Sequence, residues 1–266
     1  MKSVGTVRAV ARLACLSLFT ALVYALWQAG NLLCRLLRRS NRHWSARLFR
    51  LWSTGVARIF GMRISVRGRP PVAPFLLVTN HLSYLDVILL ASQLGCTFVS
   101  RHDVASWPII GHLTTLMGTI YINRDRRKDV MRTGSLIAAA LGRGESVVIF
   151  AEGTSTCGAQ VNPFKPSLLE CAVQSRQAVH YASLAYGTRP GDAPAHLAVC
   201  WWGDMPFFAH VFNLLKLRRF HAALVFGEQP MFEEDRKVLA QKLHACVSAL
   251  FTPVVKMESS CESMIS

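Results

Sequence analysis

The chain predicts an α/β domain, with a mixed central β-sheet flanked by helices, preceded by an N-terminal membrane-associated helical segment. Three observations carry this. From residue 62 onward, short apolar runs of strand character alternate with stretches of helical periodicity. The most strand-like run, Ser146 to Ala151, empties into Glu152-Gly153-Thr154, and a buried strand ending in a glycine turn is where α/β sheets place ligands. Leu13 to Cys34 is a run of 22 residues without a charge, framed by Lys2, Arg8 and Arg12 on one side and by Arg35, Arg38 and Arg39 on the other.

That apolar run is long enough to span a bilayer. As a secretory signal it lacks a small-residue cleavage site and runs into six arginines between Arg35 and Arg50. A helix lying in the interface, with arginines reaching to headgroups, is the other reading, and both attach the chain to a membrane. More positive charge follows the run than precedes it, which places the C-terminal bulk in the cytoplasm. Between Arg42 and Arg58, Trp44, Leu48, Leu51 and Trp52 recur at helical spacing. This second amphipathic helix rests either on an anionic surface or on the main domain. Met62 to Arg67 then alternates as a half-buried strand, and Gly68-Arg69-Pro70-Pro71 ends it. The resulting division is an anchoring segment over 1–60, a catalytic domain over 61–256 and a Ser-rich, frayed tail over 257–266.

Composition narrows the partners. With 52% hydrophobic and 17% charged residues, 266 residues suffice for one large domain and an appendage, and disorder is excluded. A net charge of +15 calls for an anionic partner. A nucleic-acid binder would carry a soluble basic stripe with interleaved aromatics. Here the arginines cluster beside an apolar anchor, which favours membrane lipids. The eight cysteines form no C-x-x-C pair and have no histidine at ligand spacing, so they read as reduced thiols with neither a disulfide framework nor a metal site.

The stretch Phe75 to Asp86 carries the chemistry. An apolar strand ends at Asn80 and a helix begins after His81. Five residues of ideal helix turn about 140° past a full circle, so His81 and Asp86 cannot face each other if both are helical. With His81 in the turn and Asp86 in the first helical turn, the carboxylate reaches one imidazole nitrogen and leaves the other free as a general base. The alternative is a surface turn with a helix-capping Asn80 and a solvated Asp86. Beyond it, Val87–Leu94 reads as helix, Cys96–Val99 as strand, Pro108–Met117 as helix, Gly118–Arg124 as strand and Val130–Leu141 as helix. Ala178–Tyr186, His196–Trp202 and Ala222–Phe226 read as three late strands, and Met231–Phe251 as a helix whose first turn holds Glu233, Glu234 and Asp235. Trp201 to Phe208 is an aromatic stretch suited to the core or to a lipid interface.

The blocks Asn80-His81-x-x-x-x-Asp86, Gly118 to Arg124, and Phe150-x-Glu152-Gly153-Thr154 stand in an order that resembles the glycerolipid acyltransferases of the 1-acylglycerol-3-phosphate acyltransferase type. The resemblance runs from about Pro74 to Gly227, and Asn162-Pro163-Phe164-Lys165 is similar to a further stretch of that family. It implies that His81 is the base, Asp86 its orienting carboxylate, Arg124 the phosphate ligand, and Glu152, Gly153 and Thr154 the acceptor turn, with Lys165 assisting. Two positions depart from the pattern. Ser155 stands where most members have an arginine, and Val179-His180-Tyr181 lacks the proline of a fourth block. The function expected is transfer of a fatty acyl group from acyl-CoA or acyl-carrier protein, as co-substrate, to a lysolipid hydroxyl. No bound cofactor and no nucleic acid enter. The acceptor expected first is 1-acylglycerol-3-phosphate, with another lysolipid such as a lyso-amino-acid lipid (lyso-ornithine lipid) as the alternative. A non-catalytic basic membrane binder is the rival outside enzymes.

Overall fold

The computed structural model describes residues 2–107, 110–123 and 127–256. The tail expected over 257–266 lies outside them, as do Pro108 and Arg124. Two helices lead, α1 (Lys2–Leu36) and α2 (Arg42–Phe60). The order continues β1 (Met62–Arg67), β2 (Leu76–Thr79), α3 (Leu85–Gln93), β3 (Cys96–Arg101), α4 (Ile110–Leu116), β4 (Ile120–Ile122), α5 (Arg127–Gly142) and β5 (Ser146–Phe150). Then come α6 (Glu170–Gln174), β6 (Val179–Gly187), α7 (Ala195–Ala198), α8 (Phe207–Lys216), β7 (Phe220–Phe226) and α9 (Arg236–Leu250).

The strands form one sheet in the order β1-β7-β6-β2-β5-β3-β4. Among the strands of the described residues only β6 and β7 pair antiparallel with each other, so the sheet is mixed. The strand period of two explains the layering. Leu77 faces a core with Leu89 of α3, Val56 of α2 and Leu214 of α8, whereas Leu76 and Val78 face a second core with Ile137 of α5 and Leu243 of α9. Helices on both faces bury β2 and β5 completely, which is why these central strands read as unbroken apolar runs.

Helix α2 packs on this core through Val56, Ala57 and Phe60, all under 5% exposed, so its apolar face is turned to the domain. Helix α1 lies against α2 in turn. A Cβ on Gly30 would fall 1.9 Å from the Trp44 indole, and one on Gly55 2.3 Å from the Phe19 ring, so glycine at both positions lets the two helices close up. The outer face of α1 leaves Val7, Leu18, Leu22, Leu32 and Leu36 more than half exposed.

Two expectations need correction. His196–Trp202 is not a strand: Pro194, with φ already near the helical value, opens the single turn of α7, and the chain then runs on without a sheet partner. Val199 and Cys200 are apolar because they are buried beneath the His81 turn, where Trp201 N–H donates to the Leu82 carbonyl at 2.9 Å. The C-terminal helix starts at Arg236 instead of Met231. Asp235 is its N-cap, accepting from the Lys237 and Val238 amides, while Met231 forms an isolated antiparallel bridge with Val179.

Candidate active site

Parallel pairing of β2 with β5 brings two of the sequence blocks together. Thr79 stands opposite Phe150, so the residues that follow each strand, Asn80-His81 and Ala151-Glu152, leave the sheet side by side. Asn80 extends the sheet by one more rung: its Nδ2 donates to the Leu184 carbonyl at 2.9 Å and its Oδ1 accepts from the Leu184 amide at 2.7 Å. The backbone then turns, and His81 lies before α3 while Asp86 sits in its first turn.

His81 Nδ1 lies 2.7 Å from Asp86 Oδ2. The same oxygen accepts the amides of Leu82 at 2.7 Å and Ser83 at 3.1 Å. An ionised carboxylate only accepts, so Nδ1 carries the proton and Nε2 presents its lone pair. Among the described residues nothing bonds Nε2. The His81 side chain is 21% exposed and Asp86 wholly buried, which leaves the imidazole reachable and its carboxylate dry. The His81 ring stacks on Phe150 with centroids 4.1 Å apart. Phe150 in turn stacks on Phe98, and Phe98 meets Phe49 of α2 edge-on. Phe49, Trp52, Leu48, Val23 and Met117 line an apolar groove between α1, α2 and the end of α4, so an aromatic path joins that groove to the histidine.

Glu152 faces inward. Its Oε1 accepts the His81 amide at 2.7 Å and its Oε2 the Asn162 amide at 2.8 Å, so both oxygens brace backbone and neither is open to a ligand. Burial pushes its carboxyl up to about 8 against the lowering pull of the two amides, and the charge of Asp86 adds to the rise. The loop after it wraps the histidine: Thr156 N–H donates to the His81 carbonyl at 3.0 Å and Lys165 N–H to the Ala151 carbonyl at 2.8 Å. Gly153 turns with φ at +82°, Thr154 and Lys165 are exposed, and Ser155 is half-buried. Arg124 lies outside the described residues. Strand β4, which leads to it, is three strands from β2, or about 14 Å at the usual strand spacing.

Two groups at the site carried no sequence signal. The Tyr186 hydroxyl donates to Asp86 Oδ1 at 2.6 Å from the far end of β6. Tyr84, inside the histidine block, has its hydroxyl 3.1 Å from His210 Nδ1, and His210 Nε2 lies 2.9 Å from the Cys200 carbonyl, which ties α8 to the turn. In sequence both tyrosines are simply apolar members of a strand and a helix entrance. Among the described residues no disulfide is formed, and no cluster of three metal-ligating side chains occurs.

Known proteins resemble this chain in sequence and in fold. The family described as Acyltransferase matches residues 63–187. A lyso-ornithine lipid O-acyltransferase of Brucella abortus is 34% identical over 78% of this chain and 82% of its own, and one of Rhodobacter capsulatus is 33% identical over 82% and 81%. A 1-acyl-sn-glycerol-3-phosphate acyltransferase of Neisseria meningitidis is 28% identical over 69% and 72%. Among solved structures, the 1-acyl-sn-glycerophosphate (LPA) acyltransferase PlsC of Thermotoga maritima superposes with a TM-score of 0.61 over 91% of this chain and 97% of its own, at 18% identity, a likeness of fold. With a dry carboxylate behind a reachable histidine at the ends of β2 and β5, and with these relatives, the chain belongs to the acyltransferase family.

Proposed function

We propose that this protein moves a fatty acyl group from a thioester donor, acyl-CoA or acyl-carrier protein, to the free hydroxyl of a lyso-ornithine lipid or a closely related lyso-amino-acid lipid. The observation that carries the chemistry is the 2.7 Å His81–Asp86 contact, which leaves Nε2 with no bonding partner among the described residues. His81 Nε2 takes the hydroxyl proton as the oxygen attacks the thioester carbonyl, and buried Asp86 stabilises the imidazolium. Collapse of the tetrahedral intermediate forms the ester, breaks the C–S bond and returns the proton to the leaving thiolate. His81 and Asp86 suffice for this proton traffic, so the scheme routes no step through a bound cofactor. The apolar groove lined by Phe49 and Trp52 suits a fatty chain.

Ser155 favours the amino-acid lipid. Where most phosphate-handling members have a guanidinium, a serine hydroxyl offers no charge and no bidentate fork, a smaller loss for an amino-acid head than for a phosphomonoester. The relatives named for lyso-ornithine lipid also match at 29–34% identity over 77–89% of the chain, against 28–30% over 69% for the two Neisseria 1-acyl-sn-glycerol-3-phosphate enzymes. The phosphate acceptor stays as the second reading on the strength of Arg124 and the intact Glu152-Gly153-Thr154 turn. Given one donor and both acceptors, the full chain is expected to show a kcat/KM at least about tenfold higher for lyso-ornithine lipid, the worth of one charge-assisted contact. Ser155→Arg is expected to raise use of the phosphate. Preference of the unmodified chain for 1-acylglycerol-3-phosphate overturns the first reading in favour of the second.

Membrane association follows from α1, whose apolar stretch Val4–Leu36 is long enough to cross a bilayer. We infer that it lies in the cytoplasmic leaflet. Arg8 donates to the Lys216 carbonyl and Arg12 to those of Leu217 and Arg218, at the C-terminal end of α8. Farther along, Thr20 accepts from Trp52, Ser45 from Trp27 and Asn31 from Asn41. A helix tied at so many points to α2 and to the end of α8 crosses the bilayer only by giving up these bonds, whereas lying flat exposes its apolar outer face to lipid. Cysteines introduced as Val4→Cys and Leu37→Cys, at exposed positions near the two ends of α1, should both react with an impermeant thiol reagent from the cytoplasmic side. Reaction of either from the opposite side only would establish a span.

A further inference from the structure

Asp86 uses its two oxygens unequally. Oδ2 receives three donors from its own turn, the His81 ring and the Leu82 and Ser83 amides, whereas among the described residues Oδ1 receives only the Tyr186 hydroxyl. Tyr186 comes from β6, a hundred residues away in sequence; it is 5% exposed, and its ring meets Phe220 edge-on at 6.2 Å. The terminal torsion of an aspartate is broad, so backbone contacts to one oxygen do not by themselves fix the plane of the carboxylate. A donor on the other oxygen does.

We propose that Tyr186 is a positioning residue for acyl transfer: its hydroxyl pins Oδ1 so that Oδ2 stays aimed at His81 Nδ1, and it draws off part of the carboxylate charge. The proposal rests on the reading of His81 as base. It has two physical consequences. Losing the hydroxyl lets the carboxylate pivot, so the imidazole samples poorer orientations. It also leaves more negative charge facing the ring, which favours the imidazolium and makes a protonated, inactive histidine persist to higher pH.

The titratable groups around Asp86 are His81 in the turn, Tyr186 on β6, Cys200 before α8 and Glu152 after β5, with Tyr84 facing Tyr186 and Cys157 facing Cys200. Burial raises Tyr186 well above its ordinary value and also raises Tyr84 and Cys200, so the phenol remains a donor at every working pH.

The test is Tyr186→Phe in the full chain, which keeps the ring against Phe220 and removes only the oxygen. It is assayed with acyl-CoA and whichever of lyso-ornithine lipid and 1-acylglycerol-3-phosphate the unmodified protein turns over, beside His81→Ala, Asp86→Asn and the Tyr186→Phe/Asp86→Asn double variant. A lost hydrogen bond to a buried charged group predicts a kcat about ten- to hundredfold lower. The KM for acceptor should be unchanged within about twofold, and the acidic limb of the kcat/KM profile should move to higher pH. Because the hydroxyl acts through Asp86, the same substitution in the Asp86→Asn background should cost less than about threefold. A Tyr186→Phe protein with native kcat and pH profile overturns the proposal, and so does an equal loss in both backgrounds or a loss that follows a lowered melting temperature with the acidic limb unmoved. If His81→Ala keeps its turnover, the base assignment itself falls; if it is dead while Tyr186→Phe is indifferent, only the role of Tyr186 falls.

Discussion

His81→Ala is expected to lower acyl transfer by about 100- to 10,000-fold, the usual worth of a positioned general base. The loss should fall on kcat, because Nε2 meets the hydroxyl proton only as the oxygen attacks, and binding of donor and acceptor draws on other surfaces. The fold should survive. The imidazole is 21% exposed and packs on Phe150 from one side, so truncation removes one ring contact and the Nδ1 bond to Asp86. The carboxylate keeps its bonds to the Leu82 and Ser83 amides and the Tyr186 hydroxyl, and the backbone bonds of the turn to Glu152 and Thr156 stay in place. Release of free thiol from the acyl donor measures the rate, and circular dichroism checks the fold. Turnover near the native level would show that another group removes the proton.

Asp86→Ala carries the largest expected effect on stability, about 3–5 kcal/mol. The carboxylate is wholly buried and accepts from the His81 ring, the Leu82 and Ser83 amides and the Tyr186 hydroxyl. Alanine leaves several of these donors dry and unpaired, and each buried unsatisfied group costs about 1–3 kcal/mol. Against a total stability of about 5–15 kcal/mol the variant would be barely folded at 37 °C. Asp86→Asn should be far milder, at about 1–2 kcal/mol. Its carbonyl replaces Oδ2, and its amide turns the Tyr186 oxygen into an acceptor. It nonetheless removes the charge that supports the imidazolium, so it should fold and still be slow. Urea midpoints of the two variants decide the matter, and equal midpoints would mean that the carboxylate does not organise the turn.

How far the site could be read from sequence differed from residue to residue. His81 and Asp86 were legible as a candidate pair because their geometry is local: a strand ending at residue 80 and a helix beginning after His81 let a carboxylate in the first helical turn reach the ring, and the structure decided this against a surface turn with a solvated Asp86. Glu152 was legible as part of the site but not in its role, since its bonds run to the His81 amide, 71 positions away, and to a loop with no periodicity. The stretch 196–202 was misread because burial beneath another turn yields the same apolar composition as burial in a sheet. For α2, arginines beside tryptophans left a lipid surface and a protein core as equal readings, and only packing of Val56, Ala57 and Phe60 on β1, α3 and the core decided between them.

By itself the sequence determined the α/β class, the apolar anchor, the central strands β2 and β5 and the histidine–aspartate turn, because strand and helix periods, charge runs and glycine turns are properties of a few neighbouring residues. The tertiary structure alone decided that β6 and β7 run antiparallel, that α1 lies along the domain, that Glu152 faces inward and that Tyr186 closes the fourth bond to Asp86. Each of these depends on which distant segment supplies the partner for a buried polar group or an apolar face, and in one dimension a strand tyrosine that donates to a buried carboxylate looks the same as one that merely fills the core.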